Sequence, residues 1–153
     1  MREDEPDVLE MLIRHELALK QLYELFATMF TNHTDFWQNL ARDEQSHADW
    51  LIALRSNSIA CTWLLYESRL KFEAIKTSIS YVESKIAKAE EGNISILQAL
   101  SIAKDLESAL LERQFSKLKD SAPKEIGAVM MRLANETERH LKTVVEVINS
   151  ETR

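Results

Sequence analysis

Two glycines and two prolines in 153 residues leave this chain few places to turn. A sheet reverses after every strand, and tight reversals draw on Gly, Pro and Asn, whose backbone angles suit them. A chain this poor in such residues is predicted to be all helical, with long helices and few connections. Hydrophobic residues make up 45% of it and charged residues 29%, the balance of a globular chain with a buried core. Its length suits one domain, taken as residues 1–153.

Charge and cysteine content narrow the function classes. The formal net charge of −6 argues against a nucleic-acid partner, which would call for a basic surface. The single cysteine, Cys61, cannot form an internal disulfide or a paired Cys-x-x-Cys metal knuckle, and reads as a small apolar residue. The opening MREDEPDVLE is acidic and lacks a hydrophobic run, so no signal peptide is expected. No apolar stretch approaches the roughly 20 residues of a membrane span. A cytoplasmic protein without a membrane partner is the expectation.

Five helical segments follow from periodicity. The first is predicted to start near Asp4, with Pro6 in its first turn. Its stripe runs through Val8, Leu9, Leu12, Ile13, Glu16, Leu17, Tyr23, Phe26 and Phe30. TNHTD breaks it, and a second helix is predicted from about Asp35 to Arg55, ending at SNS. A third segment, about 62–91, carries Ile75, Ile79, Val82 and Ile86 on one face and stops at Gly92. The fourth opens with the capping-box pattern Ser95-x-x-Gln98. It continues through Leu97, Leu100, Ala103, Leu106, Glu107 and Leu110 to about Leu118. DSAPKE is the last turn, with Ser121 as cap and Pro123 in the first turn of the fifth helix. That helix presents Ile126, Met130, Leu133, Thr137, His140, Val144 and Ile148. Short turns near 32 and 121 make two antiparallel hairpins joined by a long crossover, a standard four-helix-bundle topology.

Each apolar stripe is interrupted by polar residues, and helix geometry tests whether these share a level. Glu16 precedes the first turn by roughly 22 Å at 1.5 Å per residue, and Glu44 and His47 follow it by roughly 16–21 Å. In the second hairpin Glu107 lies roughly 20 Å before the turn, with Thr137 and His140 roughly 22–27 Å after it. The hairpins also resemble each other. HELALKQLYELF aligns with LESALLERQFSKL, placing Glu16 over Glu107. LARDEQSHADWL aligns with LANETERHLKTV, placing His47 over His140 and Glu44 over Thr137. The spacing predicts one site at the bundle centre, built from both hairpins.

On these motifs the chain resembles the ferritin-like superfamily, and within it the rubrerythrin branch. That superfamily builds a di-metal site from a Glu on each of two helices and a Glu-x-x-His on each of the other two. The resemblance implies an antiparallel four-helix bundle with an additional crossover helix. It implies that Glu16, Glu44, His47, Glu107 and His140 ligate iron, as one or two ions or another divalent metal. It also implies redox chemistry of peroxide or oxygen, an oxidoreductase activity, with Tyr23 as a donor beside the ligands.

Three positions depart from the family pattern. The second motif reads Thr137-Glu138-Arg139-His140, so one bridging carboxylate is missing, and Glu136 would replace it only through a local bulge. Gln114 stands where the counterpart of Tyr23 would be. One cysteine cannot build the rubredoxin-like iron domain of many rubrerythrins, so electrons would come from a separate donor. The alternative reading is a metal-free bundle that acts in binding or assembly, and a third is iron handling without turnover. His15 and His33 are expected at the surface or in turns. Trp63 to Tyr66 is either a packing foot for the crossover or part of a homodimer contact.

Overall fold

The structure, a computed structural model, describes residues 7–67, 69–110 and 123–153, leaving the side chains of 64–67 and 69–71 outside the description. Among the described residues there are six α-helices and no strand. They are α1 (Val8–Met29), α2 (Thr34–Ala53), α3 (Ser58–Glu67), α4 (Arg69–Glu90), α5 (Ile96–Ala109) and α6 (Lys124–Glu151). The all-α expectation is borne out. No helix of the described residues is long and apolar enough to cross a membrane. By contact the chain divides into two compact units, Met1–Glu91 and Gly92–Arg153.

The first unit is organised by the α1–α2 hairpin. Asp7 caps α1, its carboxylate accepting the Glu10 N–H at 2.8 Å. The helix therefore begins later than the expected start near Asp4; a carboxylate three residues before a free N–H is what fixes the boundary. A short 3-10 turn, Thr31–His33, reverses the chain, and the Thr34 hydroxyl donates to the Ala27 carbonyl across it. The pairs then climb in step: Lys20 with Gln45 at 2.9 Å, Glu16 with His47 at 3.7 Å, and Glu10 with Arg55. This steady antiparallel register puts Glu16 and the Glu44–His47 motif at one level, as the spacing predicts.

The core of the hairpin is apolar and aromatic. Leu12, Leu19, Leu22, Tyr23, Phe26, Trp37, Leu40, Ala48 and Leu51 are buried. Trp37 packs on Tyr23 and Phe26 with ring centroids 5.7 and 4.9 Å away. Leu17, placed on the stripe from sequence, is instead exposed, because it sits on the rim where α4 meets α1.

A second 3-10 turn, Leu54–Ser56, leads to α3. The segment expected as one helix over 62–91 is helical as α3 and α4 on either side of residue 68, which lies outside the description. Ile75, Ile79, Val82 and Ile86 of α4 are all buried, and α4 packs against α1. Just past α4, Gly92 opens the second unit at φ +79°, a left-handed conformation that suits glycine. Trp63 is partly exposed, and the Tyr66 side chain named with it lies outside the description.

His15 overturns its expectation. It is 1% exposed, and its Nε2 hydrogen-bonds with the Ser78 hydroxyl of α4 at 2.7 Å. Burial lowers its pKa, against a smaller opposing effect of Glu16, so the ring is neutral. The physical reason is that α1 has two covered faces, one under α2 and one under α4.

In the second unit the Ser95–Gln98 capping box forms as expected, with Ser95 Oγ accepting from the Gln98 N–H and the Gln98 side chain from the Ser95 N–H. Ala99, Leu100, Ile102, Ala103 and Leu106 of α5 are buried, whereas Leu97, expected on that stripe, is exposed. Residues 111–122 lie outside the description, and with them the expected end of this helix near Leu118 and the Ser121 cap. The last helix begins at Lys124 with Pro123 in the N-cap position, rather than with Pro123 in its first turn. It packs on α5 through Ile126, Met130, Leu133, Ala134 and Val144.

Replacing Ser78 by Ala removes the partner of a buried imidazole nitrogen. We expect Ser78→Ala to lose about 1–3 kcal/mol in urea unfolding, more than Ser84→Ala, whose hydroxyl is exposed and donates only to its own helix.

Candidate metal centre

Glu16 comes from α1, and Glu44 and His47 from α2, where a spacing of three places both on one face. All three are 1% exposed. One ligand atom from each lies within 4.8 Å of the others. His47 Nδ1–H donates to Glu44 Oε2 at 3.2 Å and stands 3.7 Å from Glu16 Oε2. The latter oxygen is buried with no hydrogen bond.

Burial and charge repulsion shape the titration of this cluster. Burial raises the Glu16 carboxyl, the neighbouring Glu44 raises it further, and His47 only partly offsets them, leaving it at about 8. Burial by itself would lower the His47 pKa, but the close Glu16 and Glu44 carboxyl groups, the latter hydrogen-bonded to it, outweigh burial and raise it to about 10. At neutral pH Glu16 and His47 therefore each keep a proton, which sets an imidazolium beside a carboxylic acid. A divalent cation substitutes naturally for those protons, because its ligands must be deprotonated.

Comparison with known protein families, characterised proteins and solved structures finds no match. The chemistry of the site therefore rests on its own residues.

In the second unit Glu107 is 0% exposed, and Thr137 and His140 are 1% exposed. His140 Nδ1 lies 3.5 Å from Glu107 Oε1, so α5 and α6 bring together the lone Glu and the His of the second motif. Thr137 adds a hydroxyl where the first motif has a carboxylate. Glu136 does not fill the gap: it is partly exposed and ion-paired with Arg139 at 2.6 Å on its own helix. Tyr23 is fully buried against Trp37, seven residues from Glu16 along α1.

One residue of the site was missed from sequence. The Trp50 indole packs on the His47 imidazole with ring centroids 5.2 Å apart and planes at 39°. Its signal was present in ARDEQSHADW, since Trp50 follows His47 by three and shares its face.

Both shifted groups hold in the fold a proton that the unfolded chain would release, His47 between 6.5 and about 10 and Glu16 between 4.5 and about 8. The folded state then binds more protons than the unfolded, and stability falls as pH rises. We expect the melting temperature of chelator-treated protein to decline from pH 6.5 to pH 9, as followed by circular dichroism. The decline should be much smaller in a variant with Glu16, Glu44 and His47 all replaced by Gln, which removes the titrating cluster.

Proposed function

We propose that this protein is a rubrerythrin-like, non-haem iron protein that carries out redox chemistry on peroxide or oxygen. The observation that supports it most is the buried triad of Glu16, Glu44 and His47, whose donor atoms lie within 4.8 Å of one another. Two carboxylates and an imidazole form a donor set suited to iron and to manganese or zinc. Glu16 Oε2, buried without a hydrogen bond, is the kind of atom a metal ion satisfies.

On this reading the fold is a ferritin-like four-helix bundle made of α1, α2, α5 and α6, with α4 as the crossover. Glu107 and His140 complete the ligand set by virtue of the repeat that aligns them with Glu16 and His47. Iron in such a site supplies one-electron redox chemistry toward peroxide or oxygen. The protein supplies the rest. Glu16 and His47 would give up the protons they hold in order to bind the cation, with Glu44 beside them. Leu12 and Leu19, a turn either side of Glu16, and Leu51, a turn beyond His47, keep bulk water out. Tyr23 serves as a proton donor beside the ligands. With a single cysteine the chain depends on a separate electron donor, and a homodimer is the expected assembly.

Thr137 separates this reading from the metal-free one, in which the buried acids pair with His47 and His140. A hydroxyl carries no negative charge and cannot offset repulsion between two divalent ions, so iron content should be nearer one ion per chain than two. Thr137→Glu should raise iron content and the rate at which peroxide oxidises bound Fe(II). A metal-free bundle gives the opposite sign: the added buried acid lowers stability and Fe(II) does not restore it. Metal analysis of protein from iron-supplied cells, with thermal melts of both proteins with and without Fe(II), decides between them. No iron-dependent stabilisation in either protein overturns the metal reading.

A further inference from the structure

A buried redox site served by an external donor needs a route for electrons that does not open it to water. The Glu16, Glu44 and His47 side chains are each 1% exposed. His47 faces the two carboxylates through Nδ1, and its ring lies against the Trp50 indole at 5.2 Å. Trp50 is partly exposed, so the residue whose ring packs on His47 is itself not fully enclosed. Trp37 makes a poor alternative. It is fully buried among Tyr23, Phe26 and Phe36, and stands ten residues before His47 on the same helix, or roughly 15 Å along the axis.

We propose that Trp50 is the port through which electrons from an external one-electron carrier enter this site. The inference rests on the metal reading above. Were iron held by these residues, one electron would pass from the reduced carrier by way of the Trp50 indole and the His47 imidazole and lower the iron's oxidation state by one. The carrier is oxidised by one, no bond is made or broken at Trp50, and no proton moves there. Trp50 is a positioning and relay residue and holds no metal itself. An aromatic ring packed on the ligand couples carrier and metal more strongly than an aliphatic side chain in its place.

The test uses the full-length protein and two metals. Co(II), a paramagnetic ion without turnover here, is titrated first. Binding should quench the part of the tryptophan emission that is lost in Trp50→Phe, while emission from Trp37 and Trp63 persists. Iron-loaded protein is then oxidised with peroxide, freed of excess oxidant, and mixed with reduced methyl viologen in a stopped-flow instrument. Trp50→Leu is expected to slow re-reduction about tenfold or more with Co(II) affinity unchanged, and Trp50→Tyr to recover most of the rate. Circular dichroism of both variants confirms folding; because Trp50 is partly exposed, the tyrosine variant supplies the comparison should leucine disturb the helix. Cobalt uptake with an unchanged re-reduction rate in Trp50→Leu and Trp50→Tyr overturns the port alone. No cobalt uptake by the wild type overturns the metal reading and the port with it.

Discussion

Two carboxylates and one imidazole buried at a single level of a hairpin are the constraint around which the first unit is arranged. Removing charge from water is costly unless the charge is matched. Here the matching is incomplete: one imidazolium faces two acids, and one of those acids keeps its proton up to about pH 8. Well-packed apolar residues of similar size commonly serve a purely structural core as well as or better than a buried ionic cluster does. The arrangement is understandable as a cation site whose charge deficit is filled by protons when no metal is bound.

What positions these groups is the register of α1 and α2. The 3-10 turn at Thr31–His33 and the hydrogen bond from Thr34 to Ala27 set the pairing, and Lys20–Gln45 and Glu10–Arg55 carry it to the far end. Slipping by one residue would rotate each side chain about 100° round its helix and carry the acids off the shared face. The His15–Ser78 hydrogen bond fixes the other side of α1 to α4. Glu16 is thus held on a helix clamped from two sides, which favours a preformed site over one assembled by its ligand.

The sequence disclosed the parts of this that depend on periodicity and local chemistry. Glu16 and the Glu44–His47 pair were legible because the distances to a well-marked turn are fixed by helical rise. The Ser95–Gln98 box and the Gly92 stop were legible because each is a local hydrogen-bonding or backbone requirement. Less legible was the start of α1, where Asp4, Glu5 and Asp7 all offer a capping carboxylate and only the free N–H of Glu10 selects Asp7. His15 was misread as a surface or turn residue, since a single stripe gives no sign that a later helix covers a second face. Leu17 and Leu97 show the converse: an apolar residue in phase with a stripe sits at its edge. Trp50 was not singled out, because ring contact with His47 depends on rotamers as well as spacing.

The central claim is that Glu16, Glu44 and His47 ligate a divalent cation. X-ray absorption at the cobalt edge of Co(II)-loaded protein tests this most directly, because it reports the atoms around the ion whatever the reaction. The account predicts a first shell of oxygen and nitrogen with imidazole scattering beyond it, weakened in His47→Gln and altered in Glu16→Gln. A spectrum of the hydrated ion, unchanged by either substitution, would contradict it.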